Sequence, residues 1–351
     1  MSRSPARLQI LFLLAGCEQR RARLSELTRD FLEHADYDLL ARDLAERRLL
    51  PLIGSRAIES APDLVPDRFR ETVAAARAAA RARGLAVEAI TTRLAASLGG
   101  AGIRTLVLKG PLLATAAHGD VGLRETADID LLVPASSLDA AVGVLREHGY
   151  SEPSDVRRPN GLPDLHLELR HSTLPQVDLH WRAYWYESAF SERLLAEAEA
   201  GDDGLLRAQP ADLMASLLLF YARDGFHGVR MAADIAGWWD RHGQALPPRF
   251  LEAHASRSPE LVPALTAAAT AAEKLTGVPA TSWLDTPAEH SRRVATAVRL
   301  ADWAQSGDRD QMSANISLVG ALLRPPGSLP SSPGASSCSP GKARPPARST
   351  R

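Results

Sequence analysis

Residues 106–133 read LVLKGPLLATAAHGDVGLRETADIDLLV. The stretch opens on a short β-rich run, Arg104–Leu108, and turns at Lys109–Gly110. Pro111 then suits the first position of a helix over 112–118. Asp128–Val133 alternates acid and aliphatic residues before running apolar, which predicts a strand with one wet end, closed by Pro134. Residues two apart on a strand share a face, so Asp128 and Asp130 project together, about 6–7 Å apart. Two carboxylates so placed repel unless a cation lies between them. Mg²⁺ or Mn²⁺ fills that role with oxygen ligands and bridges to substrate phosphates. Upstream, glycine at 110 lets a phosphate approach the backbone, and the following helix N-terminus offers free N–H groups. Lys109 is one of three lysines beside 38 arginines, a compact charge at that turn. Arg124, four residues before Asp128, can neutralise phosphate or hold the aspartates.

The next segments extend the pattern. Ser137 and Asp139 open a predicted helix that ends at Gly149. LHLELRH at 165–171 and QVDLHWR at 176–182 alternate and are separated by STLP, which predicts a β-hairpin. Asp178, His180 and Arg182 share one face; His166, Glu168 and Arg170 share another strand's face. Either Asp178 or Glu168 completes a three-carboxylate set, and Asp178 is preferred. His180 and Trp181 read as packing residues, His227 as a turn residue, and Asp234 as a structural acid between helices or, as the alternative, a base acting on the acceptor.

On either side the sequence reads as helix. Residues 1–100 carry 3.6-type spacing, with Pro51 interrupting, Gly84 as a break in the Ala- and Arg-rich run after Asp67, and Gly99–Gly100 as its end. Arg3, Arg7 and Leu8–Leu14 before Cys17 imitate a lipoprotein signal. The apolar stretch is short and contains Gln9, so a buried first helix with Cys17 as a small core residue is the expectation. Helical faces return at 212–222, 229–239, 259–274 and 287–305. From Leu323 the chain is Pro, Ser, Gly and Arg, predicted to be disordered. The expected organisation is therefore an N-terminal helical region (1–100), an α/β core (101–185), a C-terminal helical region (186–322) and a tail (323–351).

Composition narrows the function. The 351 residues carry a net charge of −1 and only 5% aromatics, which argues against an extended nucleic-acid track. Two distant cysteines exclude a disulfide framework and a cysteine zinc site. No apolar run has the length of a membrane span. His118–Gly119–Asp120 imitates a phosphotransferase catalytic loop, but Glu125 stands where that loop needs Asn, and no glycine-rich loop with a strand lysine precedes it. Walker A, nucleophile-elbow and HExxH patterns are absent.

The pattern LKG, apolar helix, G-x-R-x₃-DIDLLV, helix, GY and then VDLHW resembles the uncharacterised nucleotidyltransferase family of the DNA polymerase β-like superfamily. ERRLLPLI at 46–53 and RMAADIAGWW at 230–239 resemble its flanking regions. The wider superfamily usually has Gly–Ser or Gly–Gly where this chain has Lys–Gly. The resemblance implies an α+β fold: a small mixed sheet forming a nucleotidyltransferase core, with N- and C-terminal helical regions. It implies Asp128, Asp130 and Asp178 as catalytic metal ligands, and Lys109, Gly110 and Arg124 beside the nucleotide phosphates. The expected activity is a cytoplasmic, Mg²⁺- (or Mn²⁺-) dependent transfer of a nucleoside monophosphate from an NTP to a small-molecule, peptide or protein acceptor. The alternative is a catalytically silent binding or accessory protein with the same fold.

Overall fold

The computed structural model describes residues 5–153, 164–187, 189–285, 287–304 and 309–325. The N-terminal helices are α1 (Pro5–Ala15), α2 (Glu18–Arg23), α3 (Ser25–Glu33), α4 (Tyr37–Glu46), α5 (Ser55–Ser60) and α6 (Asp67–Gly100). Pro51 lies in a π-turn, Leu50–Gly54, that leads into α5. Ile10, Leu11, Leu14, Ala15 and Cys17 are buried, as expected of a packed first helix. They belong to two cores, α1 joining the N-terminal helices and Cys17 the large C-terminal one.

α6 corrects the sequence reading at Gly84. The helix runs 34 residues, about 50 Å, straight through that position. Gly84 is buried, and a Cβ there would come 2.5 Å from Val121 Cγ2. The glycine marks a close approach of α6 to the 3-10 turn Val121–Leu123, not a break.

The α/β core follows: β1 (Leu106–Val107), α7 (Pro111–His118), β2 (Asp128–Leu132), α8 (Leu138–Glu147), β3 (His166–Leu169) and β4 (Gln176–His180). Then come α9 (Phe190–Glu197), β5 (Glu199–Ala200), β6 (Leu206–Arg207), α10 (Pro210–Arg223), α11 (Val229–His242), α12 (Glu252–Arg257), α13 (Val262–Thr276), α14 (Ser291–Ala304) and α15 (Arg309–Leu322). The six strands form one mixed sheet in the order β3-β4-β2-β1-β6-β5. β2 runs parallel to β4 and antiparallel to β1, and β3–β4 is the expected antiparallel hairpin. The fold is α+β. The sheet takes β5 and β6 from residues 199–207, a stretch read from sequence as part of the helical region, and β6 pairs parallel with β1.

Period-two alternation sorts the sheet's faces. Ile129, Leu131, Val133, Val177, Leu179, Leu167 and Leu169 pack in one core with Val87, Leu94 and Leu98 of α6 and Val142 and Leu145 of α8. The opposite face carries the polar residues of β2, β3 and β4. It grades into Leu106, Leu108 and Leu132, which join a larger core with Leu217, Phe220, Ile235 and Leu265 of the C-terminal helices. Polar side chains thus lie between the sheet and those helices, Lys109 and His180 both against Phe220 of α10. Leu323, the first residue of the expected tail, is buried in that larger core. Residues 326–351 lie outside the described residues. Among the described residues no helix is long and apolar enough to cross a membrane.

Candidate active site and metal centre

The parallel register of β2 and β4 places Asp130 directly beside Asp178, and Asp128 beside Gln176. The carboxylates of Asp130 and Asp178 lie on one face because each alternates with buried aliphatic residues on the other. His180, two residues beyond Asp178, shares that face. Asp130, Asp178 and His180 each present a ligand atom, all within 4.8 Å of one another. Asp128 stands two residues earlier on the same strand, half-buried, outside this cluster. Glu168, the alternative third acid, is the hairpin partner of Asp178 and pairs with Arg170 at 3.1 Å.

Asp130 Oδ1 accepts two contacts, from Lys109 Nζ at 3.0 Å and from His180 Nε2 at 3.2 Å. Burial alone would raise the Asp130 carboxyl. The Lys109 ammonium, and then the His180 hydrogen bond, outweigh burial and hold the group well below the usual carboxylate range. Asp178 shows the opposite balance. Burial, then the neighbouring Asp130 charge, pushes it up to about 7, although Gln176 Nε2 donates to its Oδ1 at 2.7 Å. Burial also lowers His180, which favours the neutral ring. Its Nδ1 is buried and without a hydrogen-bond partner. The His166 ring lies 4.7 Å from that of His180, and burial, then His180, keeps it neutral as well.

The Lys109–Gly110 turn forms as the sequence predicts. Gly110 adopts φ +77°, a backbone that L side chains rarely accept, and leads into Pro111 of α7. The Lys109 ammonium lies 4.7 Å from the centroid of the Phe220 ring, which also meets the Arg223 guanidinium at 4.8 Å and the His180 ring at 6.4 Å. Lys109 is thus bound to Asp130 while standing at the glycine turn before α7. Arg124 pairs with Asp234, Nε to Oδ2 at 2.9 Å, and with neither Asp128 nor Asp120. Asp120 is held by Arg77 and Arg81 and caps the Val121–Leu123 turn, so the kinase-like tripeptide serves packing here.

The donor set fits a divalent cation. Two carboxylates and a neutral imidazole converge, and imidazole with carboxylate oxygens is a set that Mn²⁺ accepts readily. His180 is the member that sequence reasoning missed. Its position two residues after Asp178 on an alternating strand was the available signal. Trp181, read as packing, does pack beside the sheet core, with Arg182 stacked 4.4 Å over its ring.

A mixed sheet that sets paired carboxylates on adjacent parallel strands, next to a glycine turn and a helix N-terminus, defines a nucleotidyltransferase-like protein. Residues 33–277 match the family described as uncharacterised nucleotidyltransferase, and the chain belongs to that family. Membership supports nucleotidyl transfer as the general chemistry. No curated protein matches the chain.

Proposed function

We propose that the protein is a divalent-metal-dependent nucleotidyltransferase that moves a nucleoside monophosphate from an NTP to a small-molecule, peptide or protein acceptor. The observation that carries this reading is the side-by-side register of Asp130 and Asp178 with His180 on the same face. Asp130, Asp178 and His180 would hold the cation, Mg²⁺ or Mn²⁺, with Asp128 facing the substrate side of the strand. Such a cation, when bound, neutralises charge on the transferring phosphoryl group. Lys109, the Gly110 turn with the α7 N-terminus, and Arg124 would bind and orient the polyphosphate. The acceptor oxygen forms a bond to the α-phosphorus, the bond to the β-phosphate oxygen breaks, and pyrophosphate leaves. Asp178 must already be ionised to hold the cation, and the acceptor's proton passes to water as the new bond forms. The C-terminal helices α10 and α11 shield the reacting face from water.

The test is direct. Purified protein is incubated with each α-labelled NTP, Mg²⁺ or Mn²⁺ and a cell extract. Label transfer with pyrophosphate release, lost in Asp130→Asn and Asp178→Asn, supports the reading. Transfer that persists in both variants refutes the site. Nucleotide binding with no pyrophosphate under any condition would instead identify an accessory protein.

A further inference from the structure

Helix α11 brings two charged residues to the loop that precedes β2. Asp234 accepts Arg124 Nε on Oδ2 and His118 Nε2 on Oδ1, both at 2.9 Å. All three side chains are almost wholly buried. His118 Nδ1 is buried without a hydrogen-bond partner and faces Gly237, where a Cβ would come within 2.8 Å of it. The glycine therefore lets α11 close onto α7 and fixes the ring. Asp234 in turn fixes Arg124, but it occupies only Nε. Among the described residues, the two terminal nitrogens of Arg124 make no hydrogen bond.

Arg230 sits one turn before Asp234, on the same side of α11. Its Nη1 reaches the carbonyl of Glu125 at 3.5 Å, a long contact, and that residue adjoins Arg124. Neither arginine forms an ion pair with Asp128, although its charge acts on both. Burial, and then the Arg124 charge, holds the Arg230 guanidinium below its ordinary value. The two guanidinium charges act against one another, and the Asp128 charge acts on both. The terminal nitrogens of Arg124, and those of Arg230 beyond its one long contact to Glu125, match the geometry of phosphate oxygens, which can bridge them.

We propose that Arg124 and Arg230 form a clamp for the polyphosphate of the nucleotide, with Asp234 and His118 as positioning residues for Arg124. This assigns the C-terminal helical region a direct part in substrate binding, and it rests on the nucleotidyltransferase reading above. The clamp reads charge and not base, so its contribution is the same for every nucleotide that binds.

The experiment uses the full chain and two probes. Calorimetry measures binding of inorganic tripolyphosphate in the presence of Mg²⁺, and electron paramagnetic resonance measures Mn²⁺ binding without any phosphate. Arg230→Gln should weaken tripolyphosphate binding roughly tenfold or more, as loss of a charged hydrogen bond implies. Mn²⁺ binding should stay unchanged, and Arg230→Lys should recover part of the loss. Asp234→Asn should also weaken tripolyphosphate binding, yet add nothing further in an Arg124→Gln background, because it acts through that arginine. A purely structural Asp234 would lower binding in both backgrounds, and thermal melting of each variant monitors the fold. Unchanged tripolyphosphate affinity in Arg230→Gln, with wild-type Mn²⁺ binding intact, overturns the clamp and leaves the nucleotidyltransferase reading standing. A wild-type protein that binds neither probe overturns both.

Discussion

At the scale of single residues, the site is governed by which groups can carry charge where they are buried together. Asp130 is ionised because Lys109 and His180 stand against one of its oxygens. Asp178, one strand away, is burdened by burial and by the charge on Asp130. Asp130→Asn should therefore reduce nucleotidyl transfer by roughly 100-fold or more and abolish Mn²⁺ binding, as measured in transfer and resonance assays. Asp178 carries a pH dependence whose direction follows from its shift. The unfolded chain releases this proton near 3.8, whereas the folded chain retains it to about 7. Ionisation at Asp178 therefore disfavours folding progressively as pH climbs from the first value through the second. Asp178→Asn removes that burden, so its melting temperature should exceed that of wild type at pH 8 and approach it near pH 4. The same proton must leave before the carboxylate can bind metal. Mn²⁺ affinity should rise by about tenfold per pH unit below 7 and level off above; a flat titration between pH 5.5 and 8 would count against Asp178 as a ligand. The shared strand face of Asp130 and Asp178 was legible in the sequence because alternation on a strand is a strong signal, whereas Asp128 stands outside the cluster that the strands bring together. His180 was not, since a histidine at a strand end is an ordinary packing residue, and only the three-dimensional convergence brings it beside the two carboxylates.

Secondary-structure elements show a different limit on legibility. β2, the β3–β4 hairpin and α7 could be read because each carries a period, a proline or a glycine that local chemistry explains. β5 and β6 have two residues each, Glu199–Ala200 and Leu206–Arg207, too few to display alternation, and only pairing with β1 defines them. Gly84 misled in another way. Helix propensity alone treats an interior glycine as a cost of about 1 kcal/mol relative to alanine. In α6 the glycine is what allows the Val121–Leu123 turn to press against the helix, and Gly122 makes a similar approach to Arg77 and Arg81 from the other side. Gly84→Ala should consequently destabilise the protein, by about 1–3 kcal/mol as in other overpacked sites, in spite of alanine's better propensity. Val121→Ala introduced on top of it should restore much of the loss, since the nearest atom is the Val121 Cγ2 methyl. Chemical denaturation of the two variants measures both effects. A Gly84→Ala protein more stable than wild type would mean that the turn moves aside freely. Arg124 leaves the end of that turn, so displacement there would also be felt at the Asp234 pair.

At the scale of the whole molecule, the question is whether the α/β core can exist without the helices that follow it. Three observations bear on it. The sheet face that carries Asp130 and His180 continues into Leu106, Leu108 and Leu132, which belong to one core with Leu217, Phe220, Ile235 and Leu265. The edge of β1 away from β2 is paired by β6, from residues 206–207. Arg124, buried in the core region, has its counter-charge on α11. A piece limited to residues 101–185 would thus expose an apolar sheet face, an unpaired strand edge and a buried-type arginine without its carboxylate. Each is a recognised route to aggregation or loss of structure. We expect such a piece to lack a cooperative thermal transition, and calorimetry on the purified fragment tests this. A fragment that melts cooperatively with native-like heat would show that the core folds on its own and that the helices only cover it. The expected outcome ties function to architecture: the helices that complete the hydrophobic core also carry Asp234 and Arg230. Folding the C-terminal region against the sheet and assembling the charged site are then one event, and a mutation in α10 or α11 that loosens packing should lower stability and substrate binding together.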